Sequence, residues 1–146
     1  MNMTVKFKKL HKNAKAPTYG SVGAAGADLY AVSDGEIVLL SGTTEIIHTG
    51  IAVQIPEGYV GLVFARSGLA SKKGLAPANK VGVIDSDYRG EILVALHNQT
   101  NTAQTLSAGD RIAQIVVVPY MTVDFEEADE LTDTARGAGS FGSTGK

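Results

Sequence analysis

The sequence predicts an all-β domain, a sandwich, barrel or jelly roll, with one short helix and a flexible C-terminal tail. Three observations predict it. Short runs rich in β-branched and aromatic residues recur along the 146 residues. Turn-forming residues punctuate them at regular spacing. A helical stretch is readable in one place, and no repeat or linker divides the chain before the tail.

In order, Val5-Lys6-Phe7 alternates in the manner of a strand with one wet face. Glu36 to Leu40, Thr44 to His48, Gly50 to Ile55 and Tyr59 to Phe64 follow as β-branched or aromatic runs. Val81 to Ile84, Glu91 to Leu96, Ile112 to Val118 and Val123 to Phe125 continue the series. Asp34-Gly35, Ser41-Gly42, Pro56-Glu57-Gly58, Asn98 to Asn101 and Ala108-Gly109-Asp110 supply the turns. The helix is expected from Ser67 to about Lys72, with Ser67 as a natural N-cap and Gly74 as its end.

The length suits one domain with a real core. Hydrophobic residues are 44% and charged residues 19%, with a formal net charge of −2, so no footprint for duplex nucleic acid is present. With no cysteine, disulfides, thiolate nucleophiles and cysteine-type zinc sites are excluded. Met1 to Leu10 alternates apolar residues with lysine, and the run Ile115 to Val118 is far too short to cross a bilayer. The expectation is a soluble cytoplasmic protein with neither nucleic-acid nor membrane partners.

The C-terminal stretch Arg136 to Gly145 packs an arginine, a phenylalanine and several glycines into ten residues. It has little to bury, and ordering its glycines costs entropy. Its guanidinium can fork onto phosphate, its ring can cover a base, and its backbone N–H groups can approach an anion. A lid over a nucleotide and a disordered tail both fit. Gly137, Gly139 and Gly142 match a dinucleotide fingerprint, but too few residues follow for the helix it needs. Gly145-Lys146 is not followed by the Ser or Thr of a P-loop.

Four other segments carry candidate chemistry. In Gly82 to Glu91, an apolar run delivers Asp85 at a strand end. Burial beside Val83 and Ile84 would favour a general base there, although a polar hairpin tip fits as well. The D-x-D of Asp85 and Asp87 is not a calcium loop, since Arg89 and Leu96 stand at ligand positions. In Ala65 to Ala70, Arg66 and Ser67 meet a helix start that could face an anion. Asp28 in Ala25 to Leu29 is an acid or a turn residue, and Gln114 in Gly109 to Gln114 is a polar side chain needing a partner. His11, His48 and His97 are isolated and receive no role.

Together these segments read A-G-A-D-L, R-S-G-L-A, G-V-I-D-S-D-Y-R-G-E, G-D-R-I-A-Q and R-G-A-G-S-F-G-S-T-G, in that order. The chain thereby resembles the trimeric dUTPase family over about residues 5 to 145. The resemblance implies a β jelly-roll domain over residues 1–135 and a glycine-rich lid over 136–146. It implies a homotrimer with active sites shared between subunits. It also implies hydrolysis of dUTP to dUMP and pyrophosphate with Mg2+ as cofactor, which keeps uracil out of DNA and supplies dUMP for thymidylate synthesis. The alternatives are a relative of the dCTP deaminase type and a non-catalytic jelly-roll binding or regulatory protein.

By the same resemblance, Asp85 activates the water that attacks the α-phosphorus. Asn79 and the backbone from Val81 through Val83, Ile84 and Asp85 read the uracil edge. Tyr88 packs under the sugar and leaves no space for a 2′-OH. Arg66, Ser67 and Gly68 hold phosphates, and Gln114 contacts the α-phosphate or the attacking water. Asp28 positions the metal through water. Arg136 grips the γ-phosphate, Phe141 stacks on the uracil, and Ser140, Phe141, Gly142, Ser143 and Thr144 wrap the phosphate chain.

Overall fold

A computed structural model describes residues 3–140. The first half holds strands β1 (Lys6–Lys9), β2 (Thr18–Tyr19), β3 (Ala27–Tyr30), β4 (Ile37–Leu39), β5 (Thr44–His48), β6 (Ile51–Gln54) and β7 (Tyr59–Phe64). Helix α1 (Ser67–Lys73) follows, then β8 (Leu75–Pro77), β9 (Gly82–Ile84), β10 (Leu93–Asn98), β11 (Gln104–Leu106) and β12 (Arg111–Pro119). The all-β, jelly-roll-like expectation with one short helix therefore holds for the described residues.

Every described strand pair is antiparallel. One sheet runs β2-β3-β12-β7-β9; another runs β5-β10-β8; β1 pairs with β6 and β11 with β4. The apolar positions of these sheets meet in one core, including Leu29, Ile47, Ile51, Val63, Leu75, Leu96, Leu106, Ile112 and Ile115. A register shift in β12 between Arg111 and Ala113 leaves Ile112 as the extra residue of a bulge, and both Ile112 and Ala113 are buried. Asn98 is the polar pin of this core. Fully buried, its amide donates to the carbonyls of Leu39 and Thr102 and accepts from Thr100, tying the loop after β10 to β4.

Three sequence expectations change. Val123–Phe125 is not a strand: Val123 and Phe125 are exposed, and no described strand pairs with them. The β-branched pattern is present, but a strand needs a partner for its backbone groups. Ser67 is not the N-cap; Arg66 holds that position with no side-chain cap, and Ser67 begins the helix. Strands β2, β3, β8 and β11 were not anticipated, being short, and β3 was read only as an acid-bearing motif. The helix does end as expected, with Gly74 in the left-handed region at φ 61° and its N–H on the carbonyls of Leu69 and Ala70. No described helix is long and apolar enough to cross a membrane.

Candidate active site

The sheet β2-β3-β12-β7-β9 places its motif residues by register. Gln114 of β12 lies opposite Asp28 of β3 on one side and Phe64 of β7 on the other. The carboxylate of Asp28, nearly buried, receives the Arg66 Nε at 2.6 Å on Oδ1 and an Arg111 terminal nitrogen at 3.2 Å on Oδ2. The two guanidinium contacts occupy both carboxylate oxygens and hold Arg66 at the entry of α1. Gln114 donates from Nε2 to the Ala65 carbonyl at 2.9 Å, which fixes the strand end that delivers Arg66. Gly26 makes this possible: a Cβ there would run into the Gln114 amide. Ser67 and Gly68 are exposed in the first turn of α1, where the leading N–H groups have no acceptor within the helix. The first, second and fourth motifs thus converge on one cationic, amide-rich end of the sheet. Arg111 is the member the sequence reading missed; it stood inside G-D-R-I-A-Q, but no side-chain partner could be read from the chain alone.

The third motif forms a tight turn after β9. Its turn closes with the Tyr88 N–H on the Asp85 carbonyl at 3.2 Å, and the Arg89 guanidinium braces it by donating to the carbonyls of Ser86 and Tyr88. The Tyr88 hydroxyl donates to the Glu91 carbonyl at 2.9 Å. Its ring lies so close over Gly90 that a Cβ there would displace the tyrosine from this position. Asp85 lines an open cleft of about 720 Å³ with Gln54, Glu57, Asp87, Arg89 and Tyr120. The burial expected for Asp85 is absent within the chain: Asp85, in the turn after the edge strand β9, is exposed, and Val83 is 60% exposed.

The same register separates the two groups. Ile84 lies opposite Gly61 and Gly82 opposite Val63, so Asp85 is carried toward the Tyr59 end of β7 while Arg66 follows its Phe64 end. At about 3.3 Å per residue, the distance along the strand is on the order of 20 Å. The chain therefore brings Asp28, Arg66, Arg111 and Gln114 together but keeps Asp85 and Tyr88 away from them.

Asn79 is exposed in the turn between β8 and β9, where Lys80 takes φ 65°. Arg136 is exposed and turned onto its own segment, Nε donating to the Gly139 carbonyl at 3.0 Å, and Ser140 is exposed. Phe141, Gly142, Ser143 and Thr144 lie outside the described residues. Each histidine has a local partner: Nδ1 of His11 accepts from the Asn13 N–H, that of His48 meets Glu91, and that of His97 meets the Thr44 hydroxyl.

Among the described residues no cluster of His, Asp and Glu is arranged to hold a metal ion. Asp28 has both oxygens engaged by arginines, which disfavours direct ligation and leaves lone pairs able to accept from water. That donor set suits an Mg2+ carried by phosphate oxygens and water, touched by the protein at one carboxylate.

The family model for dUTPase matches residues 12–145, nearly the whole chain. The chain belongs to the dUTPase family. A relative from Desulfitobacterium hafniense named deoxyuridine 5'-triphosphate nucleotidohydrolase is 51% identical over 99% of this chain and 97% of its own length. One of the same name from Nautilia profundicola is 46% identical over 99% of this chain and 100% of its own. Among solved structures, the Staphylococcus bacteriophage 80alpha dUTPase with dUpNHpp superposes with a TM-score of 0.90 at 30% identity, covering 99% of this chain and 100% of that one. A dUTPase variant from phage phi11 of S. aureus, described with a structural Mg(II) ion, gives a TM-score of 0.79 at 28% identity over 88% and 98% of the two chains.

Proposed function

We propose that this protein hydrolyses dUTP to dUMP and pyrophosphate at a site completed by neighbouring copies of the chain. The observation that carries the reaction is the full-length likeness to relatives named for that activity. Dinucleotide, deaminase and non-catalytic readings have no comparable support.

The chemistry follows from the residues. A water oxygen attacks the α-phosphorus, the bond from that phosphorus to the bridging oxygen breaks, and pyrophosphate leaves. Asp85 accepts the proton of the attacking water. Arg66, with the exposed amides of Ser67 and Gly68, neutralises and orients the phosphates, since phosphoryl transfer depends on positioning and charge more than on covalent help. Arg66 is useful there because Asp28 fixes its direction. Gln114 sits on the same sheet end, toward the α-phosphate. Mg2+, when bound, would supply charge neutralisation across the triphosphate, and Asp28 would hold it through water. Asn79 and the β9 backbone through Val83 and Ile84 read the uracil edge, and Tyr88 excludes a 2′-OH. Residues 136–146 act as a lid on the domain formed by 1–135, with Arg136 on the γ-phosphate, Phe141 over the base, and Ser140, Gly142 and Ser143 along the phosphates.

The shared site rests on the roughly 20 Å that the β7 register puts between Arg66 and Asp85. A homotrimer in which one chain supplies Asp28, Arg66 and Gln114 and a neighbour supplies Asp85 and Tyr88 removes that gap, and it covers the exposed β9 edge. The substrate is a DNA precursor, and a cytoplasmic protein acting on it would keep uracil out of DNA and yield dUMP. A pyrophosphate-release assay across dUTP, dTTP, dCTP and UTP, with Mg2+ and with chelator, tests this reading. Turnover of dUTP alone, abolished by chelation, is expected; ammonia release from dCTP or no turnover of dUTP would overturn it.

A further inference from the structure

We infer that Glu91 is a positioning residue that sets the specificity of the Asp85–Tyr88 turn by clamping its foot to the turn between β5 and β6. Three contacts converge on this one residue. Its Oε1 accepts the Gly50 N–H at 2.7 Å, its Oε2 pairs with His48 Nδ1 at 3.0 Å, and its backbone carbonyl accepts the Tyr88 hydroxyl at 2.9 Å. The side chain thus faces the β5–β6 turn while the main chain holds the ring that the substrate reading places under the sugar.

The anchor it grips is rigid. Gly50 has φ 66°, and a Cβ there would meet Ala14, His11 and Val32, so the turn is packed on several sides. Next to it, buried Thr49 donates to the Ile92 carbonyl at 2.6 Å, and the Ile92 N–H reaches the Ile51 carbonyl at 2.9 Å. Residues 91 and 92 are therefore bolted to the body, whereas the Asp85–Tyr88 turn before them is largely exposed and held by its own turn bonds. A carboxylate that reaches a backbone N–H in a partly buried setting makes a strong hydrogen bond, and here it adds to the Ile92 bonds in setting where the Glu91 carbonyl lies. Tyr88 hangs from it directly. Glu91 stays clear of the reacting atoms in this account and acts through Tyr88.

The inference rests on Tyr88 rejecting the 2′-OH, so the test measures kcat/KM for dUTP and for UTP in the full-length wild type and in three variants. Glu91→Ala removes the clamp. Glu91→Asp shortens it and still carries charge, which keeps the test open if the alanine variant fails to fold. Glu91→Gln keeps an oxygen for the Gly50 N–H. The expected result is a fall of about tenfold in the dUTP/UTP ratio for Ala and Asp, through a higher KM for dUTP more than a lower kcat, with the ratio restored by Gln. If the wild type discriminates and the folded Ala or Asp variant keeps the same ratio, with only its melting temperature lowered, Glu91 is structural and the inference is wrong. If the wild type itself turns over UTP as well as dUTP, the role of Tyr88 fails first and the inference falls with it.

Discussion

At the scale of single residues, the informative one is Asp28. A lone aspartate in A-G-A-D-L is an acid of unspecified purpose; in the fold it is a buried carboxylate between Arg66 and Arg111. Removing it leaves Arg66 half-buried without its counter-charge and free to leave the phosphate direction. Asp28→Ala is expected to lower stability by roughly 1–3 kcal/mol, read by chemical denaturation, and to raise the KM for dUTP. Asp85 differs, because it is exposed and makes no side-chain contact on which the described fold depends. Asp85→Asn should leave the melting temperature and the binding of a non-hydrolysable dUTP analogue unchanged, while turnover falls by roughly 10²–10⁴-fold, the usual worth of a general base. Wild-type turnover in that variant would exclude Asp85 as the base.

At the scale of elements, the strands legible in the sequence were those carried by runs of β-branched, aromatic or other apolar residues. Thr44–His48 and Tyr59–Phe64 have the predicted bounds, and α1 stops at Gly74 as its αL cap requires. β2, β8 and β11 were too short to show a period, and their existence is decided by partners distant in sequence. Val123–Phe125 is the converse, a strand pattern with no partner among the described residues. The motif residues were legible because five segments stand together in the family's order; each alone also fits an ordinary turn, cap or strand. Their wiring was not: the Arg111–Asp28 contact joins residues far apart in sequence, and the exposure of Asp85 depends on how the turn after β9 sits in the fold. The tail belongs to this scale as well. β12 ends at Pro119, and the core members all precede it or lie in it. Deleting Arg136 to Lys146 is therefore expected to leave the melting temperature within a few degrees of the wild type and to cut turnover sharply. A large loss of thermal stability would make the tail structural.

At the scale of the whole molecule, the question is how residues some 20 Å apart along β7 serve one reaction. The fold answers by leaving each half of the site open at opposite ends of the same sheet, with an edge strand between that another copy can cover. In the proposed closed three-fold ring each site would take Arg66 from one chain, Asp85 from the next and the tail from the third. The most direct measurement uses two inactive variants, Asp85→Asn with an intact tail and a tail deletion with Asp85 intact, co-expressed and purified as verified mixed trimers. A site revives when its Asp85 comes from the truncated chain and its tail from the Asn chain, so each two-to-one ring should recover about one working site of the three. Absence of dUTP turnover in such mixed trimers would contradict the shared site.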